Sequence, residues 1–208
     1  MGGNSESSTH RYLNSTLPHS FCCIMKSKFL ITKEKICIMI HIVPLEKNNA
    51  NCIVAWNKGK DADFLTQWAG RGYRYPITEE QITARIIASA GADYKIYSIM
   101  MNENLLGTIE LMNINRNAKR ATIGRFLIDP AKTGKGYGTK ALKLFAEGVF
   151  NETPITTLEL TVFDFNKAAI RCYESVGFVK TSEVVRPNGW IAIQMEIVRP
   201  TLKGGNLK

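Results

Sequence analysis

The sequence lacks the long apolar run that a membrane-spanning helix needs. No stretch of its 208 residues approaches the roughly 18 consecutive apolar residues required. Internal repeats and low-complexity segments are also absent. With 45% hydrophobic and 22% charged residues, the composition is that of an ordinary globular protein. We therefore expect one folded domain and no membrane partner.

Cysteine is present, but not in a pattern that builds a disulfide framework or a metal site. The five cysteines fall at positions 22, 23, 37, 52 and 172, an odd number whose spacings match no zinc template. Reduced thiols are the usual state of cysteine in the cytosol. The sequence thus predicts a cytoplasmic protein without a metal.

Acidic residues are scarce relative to basic ones, which gives a formal charge of +9. The two ends, residues 1–39 and 199–208, carry +3 each, so the excess is concentrated outside the body of the chain. We interpret residues 1–38 as a flexible N-terminal extension or leader, 39–198 as the domain and 199–208 as a flexible basic tail. Solvated ends explain this charge better than a nucleic-acid partner, whose binding would weaken steeply with salt.

A glycine-rich turn lies between a strand-like apolar run, 123–128, and a helical pattern that begins at Thr139. Gly134, Gly136 and Gly138 have no Cβ, so they can take positive φ and let backbone N–H groups approach a ligand closely. The positive end of a helix dipole favours an anion at this place. The turn therefore predicts a phosphate or pyrophosphate site, although neither the P-loop nor the dinucleotide spacing is matched.

A second motif follows at 157–178, where a β-rich run leads to Asn166 and then to a short amphipathic helix. Tyr173 lies on the apolar face of this helix, and Gly177 marks its end.

These two segments, in this order and at this interval, resemble the GNAT superfamily of N-acetyltransferases. The family's acyl-CoA loop reads Arg/Gln-x-x-Gly-x-Gly/Ala, and here Thr133 replaces the first residue. The resemblance covers about residues 40–198. It implies a mixed α/β (α+β) fold: a mostly antiparallel central sheet flanked by helices, with two splayed parallel strands that hold acyl-CoA.

Local patterns agree with that fold. They predict a first strand at 40–45, strands at 94–101 and 105–114, a strand ending at Ile128, and a last hairpin at 178–186 and 190–198. Between the first two strands, Thr78 and Gln81 form a capping-box pattern, with Gln81 reaching back to Thr78, and the helix should run to Gly91 with Ala90 inward.

By the same resemblance, acetyl-CoA is the co-substrate and several groups hold it. Backbone N–H groups at the end of the strand before the loop would grip the pantetheine and the thioester oxygen. The residues implied are Phe126, Leu127, Ile128, Thr133, Gly134, Lys135, Gly136, Tyr137, Gly138, Thr139, Asn166 and Tyr173.

Acetyl transfer to an amine needs a neutral amine, a donor for the developing oxyanion and a proton for the leaving thiolate. The resemblance assigns the proton donor to Tyr173, because a phenol with an ordinary pKa near 10 is protonated at neutral pH. The base is open: Thr161 stands where some family members have a glutamate. Glu159, Glu110 or a chain of waters could take its place.

The acceptor side is expected between the first strand and the capped helix, where aromatic residues and arginines are dense. The candidates are Trp56, Trp68, Arg71, Tyr73, Arg74 and Tyr75. The acceptor could be a polyamine, an amino sugar antibiotic, an amino acid or a protein N-terminus. The resemblance also leaves a homodimer open, since the family often dimerises.

The sequence therefore predicts an N-acetyltransferase that uses acetyl-CoA and direct attack by a primary amine of a small molecule or peptide N-terminus. The alternative is a non-catalytic acyl-CoA-binding sensor of the same fold, suggested by the threonines at 133 and 161.

Overall fold

The computed structural model describes Met25–Lys26, as backbone, and residues 38–200. The strands are β1 (Met25–Lys26), β2 (Ile40–Pro44), β3 (Lys95–Met101), β4 (Asn104–Asn115), β5 (Arg120–Ile128), β6 (Thr157–Phe163), β7 (Val179–Val185) and β8 (Ile191–Val198). The helices are α1 (Ala50–Asn57), α2 (Ala62–Ala69), α3 (Glu79–Ala88), α4 (Tyr137–Glu152) and α5 (Lys167–Val176), with short 3-10 turns at Lys47–Asn49 and Pro130–Lys132.

The described strands form a sheet in the order β1-β2-β3-β4-β5-β6-β8-β7. Neighbouring strands are antiparallel except β5 and β6, which run parallel. A parallel pair needs a crossover connection, and α4 supplies it. The fold class predicted from the sequence, a mostly antiparallel mixed sheet flanked by helices, is confirmed.

Two apolar clusters hold the domain together. In the larger one, α4 packs its buried face, including Leu142 and Phe145, against the sheet around Ile109 and Leu158. A smaller cluster lies under α1 to α3 and is centred on the fully buried Ile82. The first cluster fixes the position of α4 relative to β5 and β6, and the second one anchors α2, the helix that packs against β5.

Only one of the two hydrogen bonds predicted for the capping box of α3 is present. Thr78 accepts a hydrogen bond from the backbone N–H of Gln81 at 3.4 Å. The prediction of a return bond from the Gln81 side chain to Thr78 is wrong, because that side chain bonds the preceding loop instead. It accepts from the N–H of Arg74 at 2.7 Å and donates to the carbonyl of Pro76 at 2.9 Å. The helix also ends at Ala88, which leaves Ala90 exposed.

Most other element bounds agree with the sequence patterns to within two residues. Among the helices of the described residues, none combines the length and the apolar character needed to cross a membrane. The expectations of a flexible extension at 1–38 and a flexible tail at 199–208 fall mostly outside the described residues. Of these, Met25–Lys26 pairs with β2, and Arg199 donates to the carbonyl oxygens of Thr153 and Ile155.

Candidate active site

The two parallel strands separate soon after they meet. Their pairing covers Arg120 with Thr157, Ala121 with Leu158 and Thr122 with Glu159, and beyond Thr122 the remainder of β5 has no partner in β6. A cleft of about 570 Å³ occupies the gap, lined by β5, β6, α5, α2 and the turn before α4. The splay implied by the family resemblance is therefore present.

An irregularity in β5 accompanies the splay. The register with β4 shifts between Thr108 and Glu110, and Arg125 has a φ of 45°, a left-handed conformation that is uncommon for a residue with a side chain. The strands approach so closely here that a Cβ on Gly107 would lie 2.4 Å from the carbonyl oxygen of Leu127. The bulge bends β5 and exposes its edge to the cleft.

The turn before α4 has the geometry of an anion site. Gly134 and Gly136 have φ of 76° and 74°, and a Cβ on either one would meet no atom within 4 Å. Helix α4 begins at Tyr137, two residues before the predicted start, and no side chain caps it. Its first N–H groups are therefore available to a ligand at the positive end of the helix dipole. Gly138 lies in the first helical turn rather than at positive φ.

Other residues of this turn divide into those that face the cleft and those that do not. Thr133 lines it and donates its hydroxyl to the carbonyl of Pro130 at 3.0 Å. Lys135 is exposed and lies outside the lining. Lys132 and, on α5, Arg171 line the cleft instead, two cations that the sequence analysis missed. No motif position marks either one, so only their place in the fold identifies them.

Helix α5 forms one wall, and its first residues are set by a cap. The side-chain oxygen of Asn166 accepts from the N–H of Ala169 at 3.1 Å, and Gly177 ends the helix with a φ of 109°. Both features agree with the sequence pattern. Asn166 also lines the cleft, so the capping residue is positioned to contact a ligand.

Tyr173 lines the cleft from α5, opposite β5. Its ring lies 6.5 Å from that of Phe126 and 6.1 Å from that of Phe178, measured between ring centroids. Burial, with a smaller effect from the neighbouring Cys172, raises the pKa of the Tyr173 phenol above its ordinary value. The phenol therefore keeps its proton at neutral pH.

Cys172 faces the start of α4. Its sulfur accepts a hydrogen bond from the Thr139 hydroxyl at 3.4 Å. Burial raises the pKa of this thiol, and the hydrogen bond from Thr139 offsets only part of that rise. A protonated thiol is a weak nucleophile, which argues against an acyl-enzyme on Cys172.

Neither candidate base lines the cleft. Glu110 is 1% exposed, and its carboxylate accepts from Arg85 at 2.9 and 2.7 Å and from Arg125 at 2.8 Å. Glu159 lies where β5 and β6 are still paired and forms an ion pair with Arg120, which also bonds Glu196. Both carboxylates are therefore engaged by guanidinium groups.

Only one of the predicted acceptor residues lines the cleft. This is Trp68, on α2, and it is joined there by Phe64 and Gln67. Sequence reasoning missed both neighbours, although their spacing at i, i+3 and i+4 marks one helical face. Helix α2 packs against β5, so this face closes the cleft on the side of the bulge.

The other predicted acceptor residues lie elsewhere. Trp56 and Tyr73 pack against the smaller core cluster, and burial raises the pKa of the Tyr73 phenol. Tyr75 lines a separate cavity of about 260 Å³ and donates to the carbonyl of Lys60 at 3.2 Å. Arg71 is exposed and does not line the cleft; Arg74 does not line it either, and its backbone N–H bonds Gln81.

The loop after α2 touches the bulge directly. A Cβ on Gly72 would lie 2.0 Å from Nε of Arg125, so the loop can pass over this guanidinium only because residue 72 has no side chain. Arg125, which also lines the cleft, thus links β5 to Glu110 and to the loop. Among the described residues, no group of three His, Cys, Asp or Glu side chains is placed to hold a metal ion.

Comparison with known proteins points to one family. A family model described as "Acetyltransferase (GNAT) domain" matches residues 40–179. A probable N-acetyltransferase of Bacillus subtilis, YjcK, is 27% identical over 150 residues, which is 68% of this chain and 81% of that protein. An aminoglycoside N(6')-acetyltransferase type 1 of Klebsiella pneumoniae is 36% identical over 67 residues, 32% of this chain, and the match spans only 33% of its own length.

Solved structures share the fold. Spermidine N-acetyltransferase from Vibrio cholerae, in complex with CoA and spermine, superposes with a TM-score of 0.67 at 18% identity, covering 77% of this chain and 95% of that one. Aminoglycoside acetyltransferase AAC(6')-Ib in complex with coenzyme A gives a TM-score of 0.61 at 22% identity, over 77% of this chain and 95% of that one.

Proposed function

Because the chain belongs to the GNAT family of acetyltransferases, and is therefore an acyltransferase, we propose that it transfers the acetyl group of acetyl-CoA to a primary amine by direct attack. The acceptor is an amine of a small molecule or a protein N-terminus. The observation that carries the proposal is a single cleft, which runs from the uncapped N-terminus of α4 to the aromatic face of α2 through the splay of β5 and β6.

The residues present fit acetyl-CoA. The open space around Gly134 and Gly136 and the free N–H groups of the first turn of α4 suit its phosphates, and Lys132 adds a positive charge. The edge of β5 that faces β6 is unpaired at Phe126, Leu127 and Ile128, so backbone groups there can contact the pantetheine arm of acetyl-CoA. Acetyl-CoA, when bound, supplies an acetyl group activated as a thioester.

Tyr173 donates the proton that the leaving sulfur requires, since it lines the cleft and keeps its phenolic proton at neutral pH. The acceptor amine loses its proton to water, because Glu110 and Glu159 are held by arginines away from the cleft. Direct attack is favoured over an acyl-enzyme by the protonated, hydrogen-bonded Cys172.

Relatives support the range of acceptors but do not select one. Among them are proteins described as acetyltransferases of aminoglycosides and spermidine. Cytoplasmic localisation belongs to the same proposal and is supported by free thiols at Cys52 and Cys172.

The test is thermal unfolding of the full chain with and without acetyl-CoA, followed by a thiol-release screen against amines. A ligand that binds only the folded state must raise the midpoint. A rise together with thiol release supports the enzyme. A rise without release from any amine supports the sensor alternative, and no rise at saturating acetyl-CoA refutes both.

A further inference from the structure

The acceptor end of the cleft is distinct from its phosphate end. Helix α2 contributes Phe64, Gln67 and Trp68 beside the middle of β5, whereas the glycine turn follows the end of that strand. The bulged stretch of β5 from Gly124 to Ile128 lies between the two ends. The surface beside α2 is therefore free for the molecule that receives the acetyl group.

The lack of acidic side chains in the cleft lining disfavours an acceptor with several ammonium groups. Within residues 38–200, no Asp or Glu lines the cleft; the charged residues that do are Arg125, which is paired with Glu110, Lys132, which lies at the phosphate end, and Arg171. The nearest buried carboxylate, Glu110, is shared by Arg85 and Arg125, which leaves that cluster with a net positive charge. A polycationic acceptor would therefore find no carboxylate in the described lining to pair with its ammonium groups.

The surface also favours an amine that loses its proton easily. A peptide α-amine has a pKa of about 7.7 to 8.0 and a lysine-type amine about 10.4, so at pH 7.5 the neutral fraction differs by about 200-fold. No described carboxylate lines the cleft to remove the proton.

On these grounds we propose that the acceptor is the α-amine of a peptide or protein N-terminus whose first side chain is uncharged. This rests on the function proposed above and names its substrate class. Phe64 and Trp68 contact the first side chain, and Gln67 and Thr161 lie within the same lining to bond the first peptide group. The amine nitrogen forms a bond to the acetyl carbon as the C–S bond breaks. Tyr173 protonates the sulfur, the amine proton passes to water, and solvent returns a proton to Tyr173.

The experiment compares matched acceptors with the full chain at saturating acetyl-CoA and pH 7.5. These are a peptide with a free N-terminal serine, the same peptide with a blocked N-terminus and one lysine, spermidine, and kanamycin. We expect kcat/KM for the free N-terminus to exceed that of the lysine peptide by about 100-fold or more, with acetylation located at the N-terminus by mass spectrometry and lower values for both polycations.

Faster turnover of spermidine or kanamycin than of the free N-terminus would overturn this inference and leave the proposed acetyltransferase function standing. Acetyl-CoA binding without turnover of the peptide would overturn it as well. Failure of acetyl-CoA to bind would instead refute the proposed function, so the two failures are distinguishable.

Two variants test the surface itself. Thr161→Glu places a carboxylate in the cleft and should raise the ratio of kcat/KM for spermidine to that for the peptide at least tenfold. Thr181→Glu, which adds the same charge on the exposed strand β7, should not change it. Trp68→Ala should weaken calorimetric binding of the peptide to the CoA complex at least tenfold with CoA affinity unchanged. An unaltered ratio or an unaltered peptide affinity would remove this surface from acceptor recognition.

Discussion

Replacing Glu110 with glutamine removes the carboxylate that bridges Arg85 and Arg125 while keeping its shape. Glu110 is 1% exposed and the side chains of Arg85 and Arg125 are 18% and 14% exposed, so both cations would remain largely shielded from solvent without a countercharge. Breaking a buried ion pair from one side costs about 3 to 5 kcal/mol. For a domain of this size that corresponds to a fall in Tm of roughly 6 to 20 °C.

The matched control is Glu159→Gln, the same chemical change at the other carboxylate considered as a base. Glu159 and its partner Arg120 are 42% and 43% exposed, and a pair of this kind contributes at most about 1 kcal/mol. Urea and thermal unfolding of both variants measure the difference. Equal shifts in the two variants would refute the reasoning. Loss of turnover in fully folded Glu110→Gln protein, with no loss of stability, would assign Glu110 to catalysis instead.

Three further predictions concern the glycine-rich turn before α4, the proposed proton donor Tyr173 and the buried tyrosines. Gly136→Ala and Gly91→Ala both place a side chain at positive φ, 74° and 83°, and should each cost about 1 kcal/mol of stability. Only Gly136→Ala should weaken acetyl-CoA binding, by tenfold or more in calorimetry, and equal affinities would exclude the turn from the site. Tyr173→Phe should lower kcat about 100-fold or more and change the acetyl-CoA affinity by less than twofold, while unchanged turnover would exclude Tyr173 as the acid. Burial holds the pKa of Tyr73, Tyr97 and Tyr173 above the ordinary value. The unfolded chain therefore loses these protons first, and the free energy of unfolding should fall above about pH 10, by about 1.4 kcal/mol per pH unit for each tyrosine. Urea unfolding between about pH 9 and 11 measures the fall in the free energy of unfolding. Tyr97→Phe should make this fall shallower. An identical slope in that variant would contradict the raised pKa of Tyr97.

Features set by local chemistry could be predicted from the sequence. Helix α5 begins at its Asn166 cap and ends at Gly177 because both signals act within one turn of chain. The glycines of the turn before α4 follow from their spacing in the same way, whereas the place of Tyr173 at the cleft was implied by the resemblance to the GNAT family.

Features set by register and distant partners could not. Period-two reasoning places Glu159 on the same strand face as Thr161, but Glu159 is still paired with Thr122, and the cleft opens only beyond that pair. Arg125 takes its conformation beside Glu110 and Gly72, which are 15 and more than 50 residues away in sequence. Tyr73 packs against the smaller apolar cluster and therefore does not line the acceptor end of the cleft.

The short pairing between β5 and β6 divides the sheet into two plates, β1 to β5 and β6 to β8, joined along three residue pairs and spanned by α4. Residues of both plates line the cleft between them, so a ligand that fills it would contact both. If acetyl-CoA binds in this cleft, as proposed, its binding should hold β5 and β6 together more firmly than their three residue pairs and α4 do alone.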